Sequence, residues 1–87
     1  MNLDIKLTSR KKTMKLADLK VPAHFQTNQP RLDKILMHHQ DYIANGYMDP
    51  IIVDADDVMI DGYISYLIHK SYGHEDVTVY RITPKAT

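Results

Sequence analysis

The stretch best suited to chemistry is "DGYIS" at residues 61–65, where a short apolar run ends and a second one begins. The pattern predicts a strand followed directly by a helix. The first amides of a helix have no intrahelical partner, and the helix dipole adds partial positive charge there. Glycine lets the backbone approach a ligand closely. We therefore predict that the turn at Asp61, Gly62 and Tyr63 binds an anion such as a phosphate.

Side chains beyond this turn offer further contacts. Tyr63, Tyr66 and Lys70 recur at steps of three and four and would share one helix face, where aromatic rings beside a cation could receive a base and a phosphate. Packing of the tyrosines against a sheet is the alternative. Gln26 and Asn28 lie on a predicted loop, where ligand contacts often occur, although ordinary loop polarity also explains them. The predicted ligand-binding set is Asp61, Gly62, Tyr63, Ser65, Tyr66, Lys70, Gln26 and Asn28.

A basic run near the N-terminus is the candidate for contact with a nucleic-acid backbone, because each neutralised phosphate adds salt-dependent affinity. A solvated hairpin turn explains the same residues equally well. The run consists of Arg10, Lys11, Lys12 and Lys15.

Two groups of residues could bind metal. The acidic residues 54–61 carry oxygen ligands, but they lack the glycine and the terminal glutamate of a calcium loop, so a solvated hairpin turn is favoured. His38, His39 and Asp41 are the second group. Adjacent histidines diverge by about 100 degrees on a helix, so the two rings cannot chelate from one face. Structural or surface roles are therefore favoured for these residues, and we predict no metal ligands.

Composition bounds the remaining possibilities. The chain has 87 residues, 44% of them apolar and 25% charged, with zero net charge, which is typical of one globular domain. The absence of cysteine excludes a disulfide framework and a thiolate metal site, and fits a cytoplasmic protein. No membrane span or export signal is visible.

The elements that would position these residues form an α+β domain with one small mixed sheet and two main helices packed on it. We predict an N-terminal strand or basic hairpin within 1–15, then a loop with two prolines. An amphipathic helix over 31–45 follows, with Pro30 at its start and Gly46 at its end. The last elements are a β-hairpin over 51–61, a mostly buried helix over 62–72, an inner strand over 77–82 and a frayed tail over 83–87.

At residues 16–82 the sequence resembles the family that unites the N-terminal domain of ParB-type chromosome-partition proteins with sulfiredoxin. The resemblance is carried by the order and spacing of "LADLKVP", "IANGYMDPIIVDADDVMIDGYISYLIHKSYG" and "VTVYRI". It implies a compact mixed-sheet domain, 1–87, in which "DG" ends a strand and the next helix points its N-terminus at a ligand phosphate.

The chain departs from this family where the family is reactive. Active relatives have His-Arg or Glu-Arg-Arg after the glycine, and the arginine supplies a charged fork for phosphate. The histidine and arginine positions here are Ile64 and Ser65. Asp61 would repel a phosphate unless it capped the helix or held a metal. These departures disfavour nuclease, nucleotidase or phosphotransfer activity.

The sequence therefore favours a non-catalytic ParB-like module that binds a nucleotide or DNA, in a phage or plasmid setting. A nucleotide and magnesium are the candidate cofactors, and no membrane partner is expected. One alternative is a protein-interaction or assembly domain that forms a homodimer or binds a partner chain through exposed tyrosines and an edge strand. The other is a divergent metal-assisted nuclease or nucleotidase that uses Asp61 and Ser65.

Overall fold

The computed structural model describes residues 6–85, which form four strands and three α-helices. In chain order the elements are β1 (Lys6–Lys15), a 3-10 turn (Leu16–Asp18), α1 (Ala23–Thr27), α2 (Leu32–Asn45), β2 (Ile51–Val53), β3 (Met59–Asp61), α3 (Tyr63–Ser71) and β4 (Asp76–Lys85).

The four strands form one mixed sheet in the order β1-β4-β2-β3. Strand β4 pairs antiparallel with β1 and parallel with β2, and β2 pairs antiparallel with β3. The parallel pairing requires a crossover between β2 and β4, which β3 and α3 supply. The predicted α+β class, the β-hairpin and the inner position of β4 are all confirmed.

The core lies between α3 and one face of the sheet. Val77 and Val79 point into it and are 3% and 0% exposed, as the alternation of a strand requires. Tyr80 and Ile82 lie on the opposite face and are half-buried. The buried cluster consists of Leu19, Ile51, Val53, Met59, Tyr63, Val77 and Val79.

The N-terminal segment is one long strand rather than a basic hairpin. All ten residues of β1 pair with β4, from Lys6 opposite Lys85 to Lys15 opposite Asp76. Residues 8–12, "TSRKK", stay extended and form no turn because their backbone pairs with β4. Basic side chains also suit an exposed edge strand. Residues 1–5, part of the predicted hairpin, lie outside the described residues.

Two further predictions need correction. The loop before α2 contains the short helix α1, because five residues are too few for a periodic pattern to reveal. The predicted frayed tail begins at residue 83, but β4 continues to Lys85 since β1 provides partners for residues 83–85. Residues 86 and 87 of that tail lie outside the described range.

Helix α2 forms where predicted, and Gly46 ends it with a φ of 68°. Its apolar stripe, however, is not covered by the rest of the domain. Leu32, Leu36 and Ile43 are 70%, 50% and 67% exposed, and no residue of α2 is buried. Helix α2 contacts the end of α3 through His39 and Tyr42, whose rings each lie 5.6 Å from that of Tyr72.

The turn between β2 and β3 is built from acidic residues that have structural partners. Asp54 accepts hydrogen bonds from the backbone amides of Asp56 and Val58 through Oδ1, at 2.8 and 3.0 Å. Asp57 adopts a φ of 63° and accepts from Lys12 and Arg81. The acidic run is therefore a hairpin turn, the interpretation that the sequence favoured.

Candidate functional site

The junction of β3 and α3 depends on glycine for two reasons. Gly62 has a φ of 94°, in the left-handed region that other residues rarely adopt. A Cβ atom here would also lie 2.6 Å from the Pro50 carbonyl oxygen and 2.7 Å from the Ile51 Cα. Glycine therefore serves close packing of this corner against the start of β2.

The first amides of α3 have no hydrogen-bond acceptor within the helix. Asp61 accepts the amide of Gly62 through Oδ1 at 2.9 Å, and the first backbone bond into the helix runs from the Tyr66 amide to the Gly62 carbonyl at 3.0 Å. Within residues 6–85 the amides of Tyr63, Ile64 and Ser65 have no backbone acceptor. Asp61 therefore accepts the Gly62 amide and leaves the next three amides of the helix without a backbone acceptor. Unpaired amides at a helix N-terminus are the groups that would bind an anion.

A cavity of about 420 Å³ opens at this corner. Its walls come from four parts of the fold, namely α1 with the following loop (Phe25, Asn28, Pro30), α2 (His38), the segment before β2 (Asp49, Pro50) and the corner itself (residues 61–65). The corner is therefore not plugged by the surrounding side chains.

The charges at this cavity are mainly acidic. Asp49 and Asp61 both line it, and His38 lies with Nδ1 3.4 Å from Asp49 Oδ2. No lysine or arginine of the described segment lines the cavity. The sequence did not predict that His38 and Asp49 line this cavity, because each comes from a different element and only the packing of α2 brings them together.

The predicted aromatic face of α3 exists and extends into α1. The Tyr63 ring stacks on Phe25 at 5.4 Å and on Tyr66 at 5.9 Å, and Lys70 Nζ lies 5.9 Å from the Tyr66 ring centre. Tyr63 is 9% exposed, and its hydroxyl accepts a 2.9 Å hydrogen bond from Gln29 Nε2. Tyr63 therefore joins the core and the cavity wall, whereas Tyr66 and Lys70 lie outside the lining residues.

The remaining predicted ligands divide between the cavity and its surroundings. Ser65 is 2% exposed, and its hydroxyl is donated to the Asp49 backbone carbonyl at 2.6 Å. Asn28 lines the cavity, and its amide nitrogen donates to the His24 carbonyl at 3.0 Å. Gln26 is exposed and does not line the cavity. Its backbone carbonyl accepts a 2.9 Å hydrogen bond from Gln29 Nε2.

The four basic residues of β1 do not form one patch. Successive side chains of a strand point to opposite faces, so Arg10 and Lys12 lie on one face and Lys11 and Lys15 on the other. Lys12 Nζ pairs with Asp57 Oδ1 at 2.7 Å. Hydrogen bonds from Lys12 and then Arg81 lower the pKa of Asp57.

Metal ligands are sparse. Among the residues that the structure describes, no three histidine or acidic side chains come together in a group that could hold an ion. A metal at the corner would therefore need ligand atoms from a bound molecule or from water in addition to Asp49 and Asp61.

None of the helices in residues 6–85 has both the length and the apolar composition needed to cross a bilayer.

Comparison with known proteins gives a clear result for the fold. No protein-family model and no curated protein matches the sequence. Two solved structures of a pNOB8-like ParB N-domain do match, one of them in the C2221 crystal form. That form has a TM-score of 0.73 and 25% identity over 88% of this chain. The other has a TM-score of 0.74 and 24% identity over 94%.

The match covers little of those proteins. This chain spans 31% and 30% of the two solved chains, so it corresponds to less than a third of either. Because the second match covers 94% of this chain, the two folds agree over nearly its whole length. The chain is therefore a small ParB-like domain with the fold of the pNOB8-like ParB N-domains.

Proposed function

We propose that this domain is a non-catalytic module that binds a nucleotide at the Gly62 corner. The observation that carries the proposal is the cavity of about 420 Å³ lined by Tyr63, Ile64 and Ser65, whose amides have no backbone acceptor within residues 6–85. Backbone amides at a helix N-terminus bind phosphate oxygens without requiring a basic side chain. The phosphates of the nucleotide would lie against these amides.

The acidic walls of the cavity favour a nucleotide that carries magnesium. Asp49 and Asp61 would repel a bare triphosphate, and the structure offers no guanidinium there to offset them. Magnesium is commonly held by one or two carboxylates together with substrate phosphates and water. The two aspartates are the side chains that would hold it, so binding should require both nucleotide and magnesium.

The absence of a reactive side chain at the motif positions supports binding without turnover. Ile64 has no proton to transfer, and the Ser65 hydroxyl is buried and donated to the Asp49 carbonyl. A serine nucleophile needs an adjacent base and access to the substrate.

A thermal-shift screen with nucleoside triphosphates, with and without magnesium, tests the proposal. Stabilisation by at least one nucleotide in the presence of magnesium is expected, because a ligand that binds only the folded state raises the melting temperature. Failure of every nucleotide to stabilise the domain would refute nucleotide binding.

The Ile64→Glu variant locates the site. A glutamate in the first turn of α3 favours the helix dipole but repels a phosphate, so the variant should fold and lose nucleotide binding. Ile60→Glu is the matched control, since Ile60 is 52% exposed and lies on β3 outside the cavity lining. Equal loss in both variants would place the ligand elsewhere.

Binding of DNA is the alternative to nucleotide binding for the same module. Arg10, Lys11 and Lys15 form no ion pair within the described residues, and they lie along the edge strand β1. If they contact phosphates, replacing each by glutamine should reduce the salt dependence of DNA binding by about one unit in the slope. DNA retention that is insensitive to salt would argue against this role.

Assembly is a second candidate function, and α2 favours it. Leu32, Leu36 and Ile43 are exposed and follow one another at steps of four and seven residues, whereas His39, which lies between them in the sequence, contacts Tyr72. This is the spacing of a seam between two helices. Sedimentation of the chain and of Leu36→Glu tests it: a dimer that becomes a monomer in the variant supports assembly through α2, and a monomer in both excludes it.

A further inference from the structure

Strands β1 and β3 are the two edges of the sheet, and they differ in how well they are protected from pairing with another chain. Strand β3 has three residues, its register with β2 shifts once, and Lys20 bridges to Val58 just before it. Strand β1 has ten residues, contains no proline and pairs with β4 without a shift in register. Short strands, bulges and prolines are common means of blocking an edge, so only the charged side chains of β1 restrict what can pair with it.

The free backbone groups of β1 belong to its odd-numbered residues. In an antiparallel pair, residues that bond to the partner strand alternate with residues whose amide and carbonyl point away from it. The Leu16 amide donates to the Glu75 carbonyl at 2.8 Å, and Leu16 continues the one-to-one register of β1. The bonds to β4 therefore come from even-numbered residues. The amides and carbonyls of Lys11, Thr13 and Lys15 point outward and have no backbone partner within the described part of the chain.

The cations of β1 lie on both sides of this edge. Four of the six residues 10–15 are basic and none is acidic. Lys12 forms an ion pair within the domain, whereas Arg10, Lys11 and Lys15 are exposed and form none among the described residues. Arg10 projects from one face of the sheet, and Lys11 and Lys15 project from the other. A partner that pairs with all three cations must therefore reach both faces.

This placement distinguishes between the possible partners. A strand added to β1 lies in the plane of the sheet and its successive side chains reach both faces, so acidic residues on it could pair with all three cations. A DNA duplex is stiff over this length and would lie against one face. A second copy of β1 would bring basic residues opposite basic ones, because residues 10–15 contain no acid, and like charges in that position are destabilising.

We propose that the outer edge of β1 binds an extended acidic segment of another protein, which adds a strand to the sheet. The outward amides and carbonyls of Lys11, Thr13 and Lys15 would bond to the backbone of the added strand, and the exposed cations would pair with its carboxylates. This edge is the one opposite β3, so the proposal does not depend on nucleotide binding at the Gly62 corner.

Titration of the full chain with a synthetic peptide, followed in ¹H–¹⁵N spectra, tests the site. The peptide is capped at both ends and built from threonine and valine, with glutamates placed to lie opposite Arg10, Lys11 and Lys15. The amide signals of Lys11, Thr13 and Lys15 should shift together and saturate, and binding should weaken as salt is added. The same peptide with proline opposite Thr13 keeps its charge but loses a backbone donor, so it should bind about tenfold more weakly. A peptide with lysine in place of glutamate should not bind.

Variants of the domain test the same contact from the other side. Thr13→Pro removes an outward amide and no bond to β4, so this variant should fold and bind the acidic peptide about tenfold more weakly. Thr13→Val keeps the amide and is the matched control, with an affinity within about threefold of the unchanged protein. Lys11→Glu leaves the backbone unaltered and should lose about fivefold, which keeps the test decisive if the proline variant does not fold.

Several outcomes would overturn the proposal. These are β1 signals that do not respond to the acidic peptide, a proline peptide that binds as tightly as the unbroken one, and a loss in Thr13→Val equal to that in Thr13→Pro. A short DNA duplex that shifts the β1 signals when the acidic peptide does not would identify DNA as the partner instead. Shifts of the same signals with protein concentration alone, without a response to peptide, would identify a second copy.

Discussion

The hydroxyl of Ser65 donates a 2.6 Å hydrogen bond to the backbone carbonyl of Asp49 and thereby joins α3 to the segment before β2. The resemblance to the ParB and sulfiredoxin pattern implies that Ser65 stands where that pattern has an arginine. Its 2% exposure means that this position faces inward here. The corner is therefore held together by a neutral bond within the protein, and phosphate binding would rest on backbone amides.

Loss of this bond should destabilise the domain. Ser65→Ala leaves the Asp49 carbonyl without the hydroxyl that satisfies it, which should cost about 1–3 kcal/mol in the free energy of unfolding by urea. Ser71→Ala is the control, since Ser71 bonds only to Ile68 in the exposed last turn of the same helix, and it should change stability by less than about 0.5 kcal/mol. Similar values for both variants would contradict the structural role of Ser65.

Gly62→Ala should be more damaging than alanine at another glycine of the same conformation. The added methyl group would lie 2.6 Å from the Pro50 oxygen and the backbone would be strained, so we expect a loss of roughly 2–5 kcal/mol. Gly46 has a φ of 68°, and a methyl group added there would meet no atom within 4 Å, so Gly46→Ala should cost only about 1–2 kcal/mol. Thermal or urea denaturation gives both values, and equal losses would show that close packing at Gly62 is unimportant.

Asp57 should contribute to stability only while it is ionised. Lys12 and Arg81 lower its pKa in the folded state, so its contribution is present above the unfolded value of about 3.9 and disappears as pH falls below it. Asp57→Asn keeps a residue that tolerates the φ of 63° and should cost about 1 kcal/mol at pH 6. The difference from the unchanged protein should shrink between about pH 4 and pH 2. Asp56→Asn, at an exposed position, is the control and should change the free energy of unfolding at pH 6 by less than about 0.5 kcal/mol.

His69, whose Nδ1 lies 2.9 Å from that of His74, should make the free energy of unfolding depend on pH in a range above that of Asp57. The pKa of His69 is lower in the folded than in the unfolded protein, so the unfolded chain binds more protons and stability falls as pH drops below about 6.5. His69→Asn removes this proton uptake. Urea denaturation between about pH 5 and 8 should show a steeper decline for the unchanged protein. Identical profiles would contradict a pKa of His69 that is lowered by burial and then by the charge of His74.

Local patterns predicted the parts of this fold whose signals are local. The periodicity of α2, the terminal glycine at Gly46 and the hairpin around the acidic turn all depend on residues close in sequence. The long pairing of β1 with β4 depends on partners about 70 residues away, which is why the sequence allowed a basic turn equally well. The stripe on α2 predicted the helix correctly but not its exposure, because periodicity shows that a face is apolar and not what covers it.

The same limit applies to the site. The Gly62 corner was predictable because a strand end, a glycine and a helix start follow one another. His38 and Asp49 were not, since they reach the cavity from α2 and from the segment before β2. The inward orientation of Ser65 was not predictable either, because its hydrogen-bond partner, the Asp49 carbonyl, lies 16 residues away in the sequence. The contact of His69 with His74 depends on the turn after α3, in which the His74 amide donates to the His69 carbonyl, and the sequence did not predict the geometry of the two rings.

Binding of a nucleotide phosphate by the first amides of α3 can be followed in ¹H–¹⁵N spectra of the chain during titration with a magnesium nucleoside triphosphate. We predict that the amide signals of Tyr63, Ile64 and Ser65 shift together and saturate. Signals that do not move, or movement confined to β1, would contradict phosphate binding at these amides.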